Sequence, residues 1–396
     1  MEKFDFDQII DRHGTCCTKF DGYEPVKGGK YEDILPLWIA DMDFATPSCV
    51  SNAIRKRLEH PVLGYTVAPD EYFETLQWWF EQKYGFRPEK EHLMYTPGVV
   101  AGIYKLVQLF TEKGDGITIM PPVYTPFSNV INGSDRRQVE APLRLNGARY
   151  EIDWDLLEQA LSQSKAMILC NPHNPGGRVW SLEELRRIAE LADRYGVFVI
   201  SDEIHADLTF KEHRHHPFPT VSEMARRNSV SLMAPSKAFN MPGVIASQLY
   251  VPDDALREKI EAYMVGNGLA HASWYTYQAV IAAYREGGEW QEACMSYIRD
   301  NIDFVRNFLK ERIPSITMIE PEASFLIFLN CRGLGFDDSQ QLSDFFMKEA
   351  GLYLNNGADF GTGGEGFMRL NVGLPKSVLE KALIRLEKAV NELQAK

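Results

Sequence analysis

The sequence predicts an α/β protein in which a mostly parallel sheet is flanked by helices and followed by a smaller α+β domain. Three observations carry this. Short apolar runs recur without the strict alternation of a half-exposed sheet, so they predict strands covered on both faces. Helical stretches separate several of these runs, the pattern of β–α units. After about Arg285 the texture changes to one long helix followed by further short apolar runs.

Taken in order, residues 1–45 form an arm punctuated by Gly14, Gly22, Gly28 and Gly29, expected to pack on the smaller domain. Residues 46–285 are expected to form the large domain and 286–396 the C-terminal small one. Pro47–Glu59 reads as a helix entered through Thr46-Pro47, with proline in the first turn. Asp70–Tyr84 is a second helix, with Phe73, Leu76, Trp79 and Phe80 at three- and four-residue spacing. Apolar runs at His92–Thr96, Gly116–Met120, Ala166–Cys170, Val197–Ser201, Ser229–Met233 and Ile245–Val251 predict strands. Val99–Phe110 and Leu182–Tyr195 are helical in pattern. Beyond them, Glu289–Arg312, Gln340–Ala350 and Ser377–Leu393 predict helices, and Ser324–Leu329, Leu352–Leu354 and Phe367–Val372 predict strands. Trp78, Trp79, Phe80, Phe345 and Phe346 are expected in the core.

Composition narrows the function. The chain has 396 residues, 45% hydrophobic and 24% charged, which is ordinary for a globular protein and excludes disorder and fibrous repeats. Its 42 basic and 55 acidic residues give a net charge of −13, which argues against general nucleic-acid binding. Six cysteines (Cys16, Cys17, Cys49, Cys170, Cys294, Cys331) include no C-x-x-C pair, so neither a zinc site nor a disulfide framework is expected. The opening Met1-Glu-Lys-Phe-Asp-Phe-Asp lacks the basic-then-apolar pattern of a secretory leader, and a cytoplasmic location is expected. His213-Arg-His-His216 lacks an i, i+4 histidine pair and reads as a solvated loop rather than a metal site.

Ligands of open parallel sheets bind beyond the carboxyl ends of the strands. Functional side chains are therefore expected just past each strand. Asn171-Pro-His-Asn174-Pro-Gly-Gly, Asp202-Glu-Ile-His205 and Ala234-Pro-Ser-Lys237 come directly after three of them, and Pro97-Gly98 opens a helix after a fourth. A lysine can hold an aldehyde as an imine, and a carboxylate can keep a pyridine nitrogen protonated. A helix N-terminus suits a phosphate. Pyridoxal 5'-phosphate offers all three handles.

These segments resemble the fold-type I pyridoxal-phosphate enzymes, the aspartate aminotransferase superfamily. Leu37-Trp-Ile-Ala40-Asp-Met-Asp43, Gly64-Tyr65-Thr66, Pro121-Pro-Val-Tyr124 and Gly366-Phe-Met-Arg369-Leu-Asn371 are similar to one branch, the cystathionine β-lyase and cystalysin group of C–S lyases (MalY/PatB-like). The resemblance implies that Lys237 forms the imine, Asp202 pairs with the pyridine nitrogen, and Asn174 bonds the ring hydroxyl. It also implies that Tyr124 stacks on the ring, with His205 beside it. Gly98, Val99, Val100 and Ser236 would hold the phosphate, joined by Tyr65 from the neighbouring subunit of a homodimer. Arg369 would clamp the substrate carboxylate, with Ala40 at the substrate. Asn171 stands either as a substrate contact or as a turn residue. Two positions depart from the wider superfamily: His205 replaces a common tyrosine, and Ile245 replaces a common phosphate-binding arginine.

The implied reaction is β-elimination, with Lys237 as base and Lys237 or Tyr124 returning a proton to the departing sulfur. Cystathionine, cystine or cysteine would give pyruvate, ammonia and a sulfur product. The alternatives are an aminotransferase, which shares the cofactor chemistry, and a cofactor-bound regulatory protein with little turnover.

Overall fold

The computed structural model describes residues 4–23 and 28–395; residues 1–3, the start of the opening segment, lie outside them. A seven-stranded sheet holds β1 (Leu93–Thr96), β2 (Gly116–Ile119), β3 (Arg137–Glu140), β4 (Ala166–Cys170), β5 (Phe198–Asp202), β6 (Ser229–Met233) and β7 (Ser247–Tyr250) in the order β1-β7-β6-β5-β4-β2-β3. From β6 to β3 the neighbours are parallel, whereas β7 is antiparallel to both β1 and β6. Every residue of β4, β5 and β6 is buried. This is why they show no alternation of apolar and exposed polar residues; the polar residues that β5 and β6 carry (Ser201, Asp202, Ser229 and Ser231) are buried as well.

The flanking helices bury one stripe each. Asp70–Tyr84 (α1) turns Leu76, Trp79 and Phe80 inward and ends at Gly85, whose φ of 80° is left-handed. Val99–Phe110 (α2) and Leu182–Tyr195 (α3) cover the sheet with Ile103, Leu106 and Val107, and with Leu185, Ile188 and Ala192. Ser181 and Glu184 close a reciprocal cap on α3, which satisfies two otherwise orphaned backbone N–H groups. Chain order reverses where β2 leads out to β3 and the chain returns as β4, so the segments after β2 and β4 diverge there and leave a crevice.

After the 25-residue helix α4 (Gly288–Arg312) comes a four-stranded sheet of β8 (Thr317–Met318), β9 (Leu326–Asn330), β10 (Asn355–Asn356) and β11 (Phe367–Asn371), ordered β8-β9-β11-β10. The chain ends in the helix Lys376–Gln394. The run at 352–354 pairs as Leu352–Tyr353 with Leu35–Pro36 of the N-terminal segment rather than joining this sheet. The expected helix 340–350 is α-helical over Ser339–Asp344 and widens to a π-turn over Phe345–Glu349. Trp79, Phe80, Phe345 and Phe346 are core residues, and Trp78 is partly buried against the same cluster.

One expectation is corrected. His215 does not belong to a solvated loop: it is buried, with Nε2 2.9 Å from Glu203 Oε2. Glu203 requires donors because β5 carries it into the interior, and no periodicity in 213–216 reveals that long-range partner.

Arg178 ties the two sheet regions together. Fully buried, it donates to Tyr150 O (2.5 Å), Glu184 Oε2 (3.0 Å) and Glu322 Oε2 (3.3 Å). Removing one member of a buried ion network strands the rest. Arg178→Met is expected to destabilise the protein by ~3 kcal/mol, read as a lower urea midpoint; a loss below ~1 kcal/mol, the range of exposed pairs, contradicts this.

Candidate active site

The carboxyl ends of β4, β5 and β6 converge with the N-terminus of α2 on a cavity of about 200 Å³. It is lined by Lys237, Asp202, His205, Asn174, Tyr124 and Ser236, together with Gly98, Val99, Val100 and Ala40. In parallel register Cys170 faces Asp202 and Asp202 faces Leu232, so the strand ends stand side by side.

Asp202 is 3% exposed, and its carboxylate accepts one hydrogen bond among the described residues, from Ile204 N–H at 3.1 Å on Oδ1. Burial pushes its pKa up to about 7, against the pull of that N–H and of Lys237. No cation lies within ion-pair distance of it among the described residues. Lys237 Nζ donates to Ala40 O at 2.5 Å. Burial lowers its pKa to about 8, which makes the neutral amine accessible near physiological pH. His205 is 4% exposed, its Nδ1 has no partner, and burial with nearby Lys237 and Arg369 lowers its pKa to about 3. It is a neutral imidazole. Tyr124 is raised by burial and then by Asp202.

Gly98 precedes α2 with φ 92°, a conformation costly for any side chain, and the first helical bond runs from Gly102 N–H to Gly98 O. The N–H groups of Val99 and Val100 therefore point out of the helix without helical partners.

Arg369 on β11 is 5% exposed. It donates to Asn174 Oδ1 (3.2 Å), Trp38 O (2.9 Å) and Asn355 Oδ1 (2.6 Å), while its Nε has no partner. Burial lowers its pKa to about 10. No carboxylate pairs with it among the described residues. A buried guanidinium held by neutral acceptors is prepared for an anion that arrives from outside.

Two expected residues lie elsewhere. Asn171 is wholly buried beneath the cavity, its Oδ1 accepting from Trp180 N–H at 3.2 Å, and does not line it. Tyr65 is 112% exposed and outside its own chain's cavity.

Two asparagines without an assigned role, Asn371 at the end of the Gly366–Asn371 motif and Asn240 three residues after Lys237, hold the site's framework. Asn240 bonds Met42 N and O and Phe44 O, while Asn371 donates to Ile39 O and Asp41 O, both at 2.6 Å. Together they fix segment 37–44, and with it Ala40 O on Lys237. Ile245, Ala246 and Ser247 also line the cavity. A search of strand carboxyl ends misses them because β7 runs antiparallel and starts at this rim.

The donor set fits pyridoxal 5'-phosphate. Asp202 lacks a cation, which a protonated pyridine nitrogen supplies. Ser236 and the N–H groups of α2 suit a phosphate. Lys237 is a buried amine of lowered pKa for the aldehyde.

Comparisons with known proteins agree with this geometry. Residues 32–386 match the model of the aminotransferase class I and II family. Cystathionine beta-lyase PatB of Bacillus subtilis is 38% identical, covering 98% of this chain and 100% of that protein. Protein MalY of Escherichia coli is 33% identical, covering 99% and 100%. The crystal structure of cystalysin from Treponema denticola, which contains a pyridoxal 5'-phosphate cofactor, superposes with a TM-score of 0.94 at 31% identity, covering 99% and 100%. With relatives of this identity aligned end to end and a cavity of matching chemistry, the chain belongs to the class I and II aminotransferase family of fold-type I pyridoxal-phosphate proteins, in the branch that holds the cystathionine β-lyases and cystalysin.

Proposed function

We propose that the protein is a pyridoxal-phosphate-dependent carbon–sulfur β-lyase that converts a sulfur-containing L-amino acid to pyruvate, ammonia and a thiol. The observation that carries this reading is one buried cavity holding a lysine of lowered pKa and an unpaired Asp202, with the counter-ion-free Arg369 at its edge. Cystathionine beta-lyase PatB and MalY as full-length relatives support the lyase over the aminotransferase reading.

When bound, the cofactor supplies an electron sink for the substrate's α-carbon. The chain supplies the rest. Lys237 Nζ would hold the cofactor through its aldehyde, and as a neutral amine it takes the substrate's α-proton. Asp202 would pair with the protonated ring nitrogen, Asn174 would bond the ring hydroxyl and Tyr124 would lie against the ring. Gly98, Val99, Val100 and Ser236 would hold the phosphate. Arg369 takes the α-carboxylate in a two-pronged hydrogen bond and so fixes which substituent faces Lys237. Lys237 Nζ or Tyr124 Oη returns a proton to the sulfur. His205, neutral between two cations, lines the cofactor cavity without adding charge.

Purified holoenzyme given cystathionine and no keto acid is expected to release pyruvate over many turnovers. At most one amino transfer per site overturns the lyase reading. Cystine and cysteine in the same assay rank the substrates.

The protein works as a homodimer in the cytoplasm in this reading. No helix among the described residues is long and apolar enough to cross a membrane. Tyr65 stands with exposed Val62, Leu63 and Val67 on one loop, an apolar cluster suited to a partner surface. If Tyr65 completes the neighbour's phosphate site, mixing inactive Lys237→Ala chains with impaired Tyr65→Phe chains restores activity to up to about a quarter of the wild-type rate per site, the share of sites that random pairing leaves intact. No recovery, with subunit exchange verified, contradicts the shared site.

A further inference from the structure

Ser247 opens β7 where three segments of the candidate site meet. In the antiparallel register it stands opposite Thr96, the last residue of β1, which leads through Pro97 and Gly98 into α2. On its other side Gln248 stands opposite Met233, which sets Ser247 level with Ala234, two residues before Ser236. Residues directly opposite each other in an antiparallel pair send their side chains to the same face of the sheet. A Cβ built on Gly102, in the first turn of α2, would lie 2.8 Å from Thr96 Oγ1 and 2.7 Å from Leu232 Cδ2, so that face is the one α2 covers. Leu249, two residues after Ser247 and on the same side of its strand, packs in one cluster with Val99, Ile103 and Leu106 of α2. Ser247 therefore turns its side chain toward the first turn of α2.

Its hydroxyl is a donor without an acceptor. Ser247 is 4% exposed, lines the catalytic cavity with Gly98, Val99, Val100 and Ser236, and its Oγ makes no hydrogen bond among the described residues. The neighbouring Thr96 Oγ1 also lacks a partner, but it is sealed in the interior and does not line the cavity. A buried hydroxyl at a cavity wall gains most from an acceptor that enters the cavity. Positive charge is scarce at this end. The described lining holds Lys237 as its one lysine and no arginine, and Ile245 stands at the mouth with Cγ2 3.9 Å from a Cβ built on Gly98. An anion at this helix N-terminus is then held by the helix dipole, backbone N–H groups and hydroxyls. No cationic side chain stands by to replace a donor that is lost.

We propose that Ser247 is a phosphate ligand of pyridoxal 5'-phosphate, its hydroxyl completing, with Ser236 and the first N–H groups of α2, a cradle built from neutral donors. This rests on the cofactor assigned above and adds a residue to its site.

The test titrates apoprotein with pyridoxal 5'-phosphate and, separately, with pyridoxal, which lacks the phosphate, following the cofactor's absorbance. Ser247→Ala is expected to weaken binding of pyridoxal 5'-phosphate by about tenfold or more, the weight of one donor lost from a charged acceptor, and to leave that of pyridoxal unchanged. Thr96→Val removes the opposite hydroxyl, outside the cavity, and leaves both affinities unchanged. The phosphorus resonance of the bound cofactor moves in Ser247→Ala and stays in place in Thr96→Val. Equal retention of pyridoxal 5'-phosphate by Ser247→Ala and the wild type overturns the assignment. So does equal weakening of both compounds, which reports a general disturbance of the cavity, or the same loss in Thr96→Val, which reports a cross-strand hydroxyl pair. Wild-type apoprotein that binds neither compound overturns the cofactor reading itself, and this proposal with it.

Discussion

Lys237→Ala lowers the rate of pyruvate formation from cystathionine by about 10³- to 10⁴-fold, with the far-ultraviolet circular dichroism unchanged. A positioned general base alone contributes about 10²–10⁴, and in the proposed mechanism the same nitrogen also anchors the cofactor. No substitute is at hand, because Lys237 is the only lysine among the described residues lining the cavity. His205 is the nearest alternative in kind, yet burial and two neighbouring cations lower its pKa to about 3, which makes it a weak base. The hydrogen bond from Lys237 to Ala40 O shows that segment 37–43 positions the lysine, and the alanine variant leaves that segment in place through Asn240 and Asn371. A loss below about tenfold assigns the proton transfer to another group.

Asp202→Asn weakens retention of pyridoxal phosphate by about 10²-fold, measured by reconstituting apoprotein at increasing cofactor concentration. The substitution keeps shape and removes charge. Breaking a buried ion pair by deleting one partner costs about 3 kcal/mol or more, and each 1.4 kcal/mol is about tenfold in affinity. The pH dependence gives a second signature. Without the cofactor, burial raises Asp202 to about 7. A cationic ring nitrogen binds the charged carboxylate, so its contribution to affinity is fully present above that value and falls as pH drops through it, by up to about tenfold per unit. Asp202→Asn removes this component, and the difference between the two proteins isolates it from the cofactor's own titrations. Equal retention by both proteins contradicts the assigned pairing.

The rim of the candidate site was legible because its polar side chains lie at strand ends. Asn174, Asp202 and Lys237 each lie within four residues of a buried apolar run, and Gly98 opens a helix, so local sequence located them. Other features depend on contacts between distant segments. Ser247 reaches the rim because β7 runs antiparallel, which the run Ile245–Val251 does not encode. Asn171 lies closer to its strand than Asn174 does, yet its side chain accepts from Trp180 N–H and does not line the cavity. His215 is buried by Glu203, twelve residues earlier in the chain. The edge strands Thr317–Met318 and Asn355–Asn356 are two residues each, too short to leave a periodic signature.

The most direct measurement is borohydride reduction of reconstituted holoprotein and peptide mass spectrometry of the product. A reduced cofactor adduct on the peptide carrying Lys237, at one per chain, is the predicted result. A saturated holoprotein with no adduct there, or with its adduct on another lysine, contradicts the assignment on which the proposed chemistry rests.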